Sequence, residues 1–175
     1  DHTFDGTNCF LTQNSNNPNS PGQSDVDGGK TTLISPNYDL SNYSGAIFSY
    51  WKWFTNNQGN NPGNDIWLVQ TSNDGGDSWV DLENTTDSNN YWQLEQFYLN
   101  DFISLSSEVK FKFIAEDIYY DGDNGTGGSL IEAAVDDISI SVFSLNSCMQ
   151  GDLNEDGLVN IQDVVTLINL ILLPD

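Results

Sequence analysis

The sequence predicts an all-β fold, an antiparallel β-sandwich, followed by a calcium-binding loop and one α-helix. Three observations carry this. Short runs rich in aromatic and β-branched residues alternate with clusters of Asn, Gly, Asp and Ser. No helical periodicity interrupts these runs. From Asp152 onward, oxygen-bearing side chains recur at the spacing of a calcium loop, and an apolar helical stripe follows directly.

The predicted strands are Thr31–Ser35, Ala46–Phe54, Asp65–Thr71, Ser78–Leu82, Tyr91–Leu99, Glu108–Ala115 and Ile131–Phe143. Alternation is plainest in Glu108–Ala115, where Val109, Phe111 and Phe113 point one way and Lys110 and Lys112 the other. Asp74-Gly75-Gly76 reads as a tight hairpin turn. Trp51 and Trp53 share a face of one long strand, and core packing is the ordinary explanation for both. The segments Asn14–Gly29 and Asn56–Asn64 are too polar for core and too long for simple hairpins, which makes them candidates for function. Residues 1–147 are therefore assigned to the sandwich and 148–175 to the calcium loop and helix.

Composition narrows the partners. The 175 residues carry four Lys, no Arg and 26 Asp+Glu, for a net charge of −22. Such a polyanion repels nucleic acid and anionic membrane. So many carboxylates suit an extracellular protein that stays soluble and holds divalent cations. No apolar run is long enough to span a bilayer, the most apolar being Val164–Leu173. No signal peptide is visible, as in a secreted chain whose signal has been removed. Cys9 and Cys148 fit no zinc spacing. A disulfide between them would close a loop of nearly the whole sandwich and stabilise it by about 4–5 kcal/mol on the chain-entropy model; two buried thiols are the alternative.

In the run from Asp152 to Asp163, Asp152, Asn154, Asp156, Asn160 and Asp163 fall at loop positions 1, 3, 5, 9 and 12. Gly157 occupies the sharp turn at position 6, and Leu158 at position 7 offers its carbonyl. Calcium, a hard cation that takes six to eight oxygens, fits this spacing. Asp rather than Glu at position 12 makes bidentate closure less certain. Behind the loop, Ile161, Val164, Val165, Ile168, Ile171 and Leu172 form an apolar stripe that Leu167 and Leu170 widen. A lone helix of this kind needs another surface, from its own sandwich, a second copy or a separate partner.

The run Gly151-Asp152-Leu153-Asn154-Glu155-Asp156-Gly157-Leu158-Val159-Asn160-Ile161-Gln162-Asp163 resembles a type I dockerin repeat. In dockerins two such repeats pack together, bind two calcium ions and dock onto a cohesin. Only one repeat is present here, so the resemblance speaks for the calcium loop and weakly for cohesin binding.

A second resemblance covers most of residues 1–143. Asp1-His2-Thr3, Leu33-Ile34-Ser35-Pro36, Phe48-Ser49-Tyr50-Trp51 and Ala134-Val135-Asp136-Asp137-Ile138 occur in this order. They resemble MAM-type jelly-roll domains. The runs Ser24–Gly29, Asn73–Trp79 and Ile131–Asp137 are similar to a bacterial MAM-like module of secreted peptidases and other large exoproteins. The resemblance implies a jelly roll with an extracellular adhesive or accessory role. Such domains carry further sequence, including a strand, before the Asp-His-Thr element. The chain is then either part of a larger protein or a sandwich with an incomplete edge that a neighbour's strand would fill. The resemblance also implies a second cation where the first loops meet the last strand, with Asp1, Asp25, Asp27, Asp136 and Asp137 as candidates. Alternation would put Asp136 and Asp137 on opposite faces, and no Arg exists to pair the inward one. An Asp accepting backbone hydrogen bonds is the alternative.

The single histidine, His2, gives no basis for a nucleophilic triad, and no zinc set exists, so an enzyme is not expected. The expected function is a non-catalytic, extracellular, calcium-binding adhesion or assembly module that contacts other copies or a larger exoprotein. The alternative is a carbohydrate-binding accessory module of a secreted hydrolase or peptidase, with Tyr119 and Tyr120 as the stacking pair. Asn42, Asn84 and Asn124 lie in Asn-x-Ser/Thr sequons on predicted loops and could carry glycans.

Overall fold

A computed structural model describes residues 1–13, 25–26, 28–59, 61–118, 129–144, 151, 153–154 and 158–172. The chain divides into two compact units, Asp1–Val142 and Phe143–Asp175.

Eight strands make up the first unit among the described residues: β1 (Phe10–Leu11), β2 (Gly29–Ile34), β3 (Gly45–Gly59), β4 (Ile66–Ser72), β5 (Val80–Thr85), β6 (Asn89–Tyr98), β7 (Lys110–Asp117) and β8 (Ser129–Phe143). They form sheet A, ordered β1-β8-β3-β6, and sheet B, ordered β2-β7-β4-β5. Two four-stranded antiparallel sheets with the chain crossing between them in this order are a jelly roll. The predicted strands all form, with ends displaced by a few residues. β1 escaped prediction because a two-residue strand shows no alternation. Between the edge strands β1 and β2 lies a cleft of about 160 Å³, lined by Phe10, Leu11, Leu33, Trp67 and Phe113 among others.

Alternation fixes the core. In β3 the even-numbered Ala46, Phe48, Tyr50 and Phe54 are buried. In β7, Val109, Phe111 and Phe113 face them, with Val109 just before the strand begins. Phe48 stacks on Phe111 with centroids 3.7 Å apart, and Tyr50 meets Phe113 edge-on at 5.1 Å. Such aromatic pairs contribute about 0.5–1.5 kcal/mol beyond area burial.

Lys52 shares the inward parity and is 5% exposed. Its Nζ pairs with Glu83 of β5 and with Glu95 of β6, the latter at 3.1 Å. Glu83 also accepts from the Tyr50 hydroxyl and from Trp67 Nε1, the latter at 3.0 Å. Burial, and then the Glu83 charge, raise the Tyr50 phenol well above its usual range.

Asn56, expected in a polar loop, is instead the last buried residue of β3 at 1% exposure. Its amide donates to the Asp65 carbonyl at 2.7 Å and to that of Thr86 at 3.1 Å. A buried amide is tolerated because these bonds satisfy it.

β4 and β5 form a hairpin at the predicted place, but the connection is a longer loop, residues 73–79, rather than a tight turn. Gly75 and Gly76 adopt φ of 74° and 105°, which side chains with a Cβ rarely take. The Asp74 carboxylate accepts from Ser72 Oγ, the Ser78 amide and Ser78 Oγ, and these bonds hold it well below the usual carboxylate range.

In the second unit, α1 spans Ile161–Leu172. Asn160 Oδ1 accepts from the Gln162 amide at 2.7 Å, and Asp163 Oδ2 accepts from the Asn160 amide at 2.7 Å. The first bond is an N-cap on the second residue of the helix, and the second ties the Asp163 side chain back to the cap residue. The helix's apolar side chains remain exposed, from 45% at Leu167 to 73% at Ile161. Among the described residues no helix is long and apolar enough to cross a membrane.

Candidate ligand-binding face

The outer face of sheet A is the aromatic surface of the sandwich. Because the even residues of β3 face inward, Ile47, Ser49, Trp51 and Trp53 face out. This corrects the assignment of Trp51 and Trp53 to the core: both are half-buried on the solvent side. Cross-strand pairing puts Leu94, Gln96 and Tyr98 of β6 opposite Trp51, Ser49 and Ile47. Leu94 and Tyr98 are 45% and 44% exposed.

Asp136 and Asp137 bring the N-terminal segment onto this face. Asp137 has φ of 47°, a left-handed conformation that breaks the alternation of β8. Ile131, Ala133 and Val135 are buried before it, whereas Ile138 and Ile140 pack on the core after it. Asp136 and Asp137 therefore do not divide between opposite faces as expected. The His2 amide donates to Asp136 Oδ2 at 2.8 Å, and His2 Nδ1 lies 2.7 Å from Asp137 Oδ2. Thr3 Oγ1 donates to Asp137 Oδ1. These bonds, Thr3 first and then His2, hold the Asp137 carboxyl below its usual range. The His2 ring stacks on Trp51 at 3.6 Å and meets Trp92 edge-on at 6.1 Å. Trp92 thus stands on the same outer face as Trp51.

Of the candidates for a second cation, Asp136 and Asp137 lie on the last strand, β8. Asp136 and Asp137 hold the N-terminal segment, while Asp1 lies against Gly6. Asp25 is buried at 6% exposure and Asp27 lies outside the described residues. Among the described residues no group of three or more His, Cys, Asp and Glu is spaced to hold a metal.

Of the expected calcium ligands, Asn154, Leu158, Asn160 and Asp163 are described, while Asp152 and Asp156 lie outside the described residues. Asp163 is 2% exposed and turned into the loop. Its Oδ1 accepts from the amides of Leu153 and Asn154, at 2.8 and 3.3 Å. Together with the Asn160 amide, these donors hold the Asp163 carboxylate in place.

Cys9 is half-buried and forms no disulfide among the described residues, and its expected partner Cys148 lies outside them. Tyr119, Tyr120 and Asn124 also lie outside. Asn42 is exposed in a turn. Asn84, expected in a loop, is exposed within β5 and pairs with Leu68.

Sequence reasoning missed the outer-face assignment of Trp51 and Trp53. The parity of β3 was the available signal, but it is ambiguous, since the even set contains Lys52 and the odd set Ser49 and Thr55.

No family model and no curated protein matches the sequence. Similar solved structures include the carbohydrate-binding module TmCBM61 in complex with beta-1,4-galactotriose, 12% identical, covering 68% of each chain with a TM-score of 0.40. Another is the Family 16 Carbohydrate Binding Module-2, 17% identical, covering 66% of this chain and 72% of that one with a TM-score of 0.36.

Proposed function

We propose that the chain is a non-catalytic extracellular module that binds carbohydrate on the outer face of sheet A. The reading rests on that face and not on the distant structural likeness. One observation carries it: Trp51, Trp53 and Trp92 stand on the solvent side of the sheet rather than in the core. Pyranose rings present apolar C–H faces rimmed by hydroxyls, which suit aromatic rings flanked by hydrogen-bonding groups. Gln96, Ser49 and Ser139 supply such groups, the two serine hydroxyls lying 2.8 Å apart. His2 covers one face of Trp51, so Trp53 and Trp92 are the stacking platforms. Its imidazole is engaged by Asp137 and Trp51.

Binding of the full chain to an array of glycans and to insoluble polysaccharides tests this. Trp53→Ala and Trp92→Ala should each weaken binding at least about tenfold, equivalent to about 1.4 kcal/mol. Loss with Tyr119→Ala or Tyr120→Ala, but not with the tryptophan variants, would move the site elsewhere. No binding to any glycan would remove the reading.

A second reading, calcium-dependent assembly, is favoured by the exposed apolar side chains of α1. It predicts a large species in calcium that dissociates in chelator, seen by light scattering or electron microscopy. A monodisperse monomer in both conditions sinks it.

A further inference from the structure

The inner face of sheet B carries a pair of buried acids that the glycan-binding face does not use. Asp65 and Asp117 are each 0% exposed. Ile66 pairs with Glu116, so continuing that register by one residue puts Asp65 opposite Asp117. Asp65 Oδ1 accepts from the Ile118 amide at 3.0 Å, which turns the carboxyl toward β7. On the other side of β7, Gly29 pairs with Asp117, and the Gly28 amide donates to Asp117 Oδ2 at 3.1 Å. Gly28 and Gly29 have φ of 66° and 102°, which glycine adopts without strain.

Asp65 Oδ2 is buried and has no hydrogen-bond partner among the described residues. A carboxylate oxygen left so is costly, and a second carboxyl across the strand makes it costlier. No lysine or histidine of the chain pairs with Asp65. All its basic side chains are described: Lys52 pairs with Glu83 and Glu95, and His2 with Asp137. Lys112 lies over Trp79, and Lys30 is exposed.

We infer that Asp65 and Asp117 hold a divalent, oxygen-seeking cation inside the sandwich, at a site separate from the loop that ends at Asp163. Oxygen-only donors select calcium or magnesium over softer metals. Two carboxylates offer up to four oxygens, and neutral oxygens or water complete the shell. The site is independent of glycan binding, so either reading can fail alone.

The test uses the full chain, stripped with chelator and titrated with calcium chloride by calorimetry. Asp65→Asn should lose one calcium equivalent that Asp163→Asn keeps. Asp65→Asn should also melt higher than the unaltered chain in chelator, because like-charge repulsion is gone, and gain less from calcium. Unchanged stoichiometry in Asp65→Asn overturns the inference. So does a rise in melting temperature that is equal with and without calcium, the mark of two carboxyls sharing a proton. If Asp65→Asn does not fold, terbium titration of the unaltered chain decides. The second unit contains no Trp or Tyr, whereas Trp67 lies close to Asp65 in sequence. Tryptophan-sensitised terbium emission that calcium displaces, and that Asp163→Asn retains, supports the site; its absence overturns it.

Discussion

Lys52, Glu83 and Glu95 bury charge of both signs between sheets A and B, whereas Asp65 and Asp117 bury acids alone on the inner face of sheet B. At the first place one lysine answers two carboxylates, and the Tyr50 hydroxyl and Trp67 indole take up further oxygen capacity. At the second, the Gly28 amide donates to Asp117 and the Ile118 amide to Asp65, and no lysine pairs with Asp65. A chain with so few basic residues can neutralise a buried acid from within only where it spends one of them. Where it spends none, as at Asp65 and Asp117, the proposed cation would supply the positive charge from outside.

Removing the internal cation should break this contrast most strongly. Lys52→Met leaves Glu83 and Glu95 without their partner and should cost about 3–5 kcal/mol of stability at neutral pH. Urea unfolding measures it. Adding Glu83→Gln should recover much of the loss, because the amide carbonyl still accepts from Tyr50 and Trp67 while the buried charge is gone. If the double variant is no more stable than Lys52→Met, the charge argument fails.

Tyr50→Phe removes one donor to Glu83 and should cost about 0.5–3 kcal/mol. It also has a pH signature. Burial and Glu83 raise the folded phenol above its ordinary value of 10.0. The folded state therefore keeps this proton longer than the unfolded state. The stabilisation is fully present below pH 10.0 and is lost as pH rises through the folded value. Unfolding curves taken across the alkaline range should fall steeply for the unaltered chain and less so for Tyr50→Phe.

Asp163 shows a third way to hold a buried acid, with loop amides and a helix cap. Asn160→Ala removes the side-chain cap on the Gln162 amide and should cost about 1 kcal/mol, read as lost helical signal in circular dichroism. The smallest effect belongs to Asp74, whose carboxyl is held below its usual 3.8 by Ser78 and Ser72. Its contribution is present above pH 3.8 and disappears as pH falls below that value. Asp74→Asn should flatten the acid limb of the stability profile slightly, and no change would mean that the turn's hydroxyls hold the unfolded chain equally well.

Much of the sandwich was legible because alternation reports burial directly. Val109, Phe111 and Phe113 against Lys110 and Lys112 gave one sheet face unambiguously, and the Asp-Gly-Gly turn gave a hairpin. Where both parities held large and polar residues, as in β3, the pattern could not choose, and the tryptophans were placed on the wrong side. The bulge at Asp137 was invisible for a different reason. A left-handed φ at a non-glycine residue is fixed by contacts from distant residues, here Thr3 and His2, which no local window contains. The buried acids were hidden likewise, since Asp65 and Asp117 meet only through strand pairing.

The placement of the lysines has a practical side. Lys52 is sealed in the core, so the ε-amines open to reagents are those of Lys30, Lys110 and Lys112. Lys30 and Lys112 pair with Glu116 and Gln70 across the outer face of sheet B, and Lys110 has the same parity as Lys112. Desolvation, and then the charge of Lys30, lower the Lys112 amine and leave more of it unprotonated. Coupling through lysine should therefore tether the module to a surface by sheet B, with Lys112 reacting readily and the tryptophan face of sheet A turned toward solution.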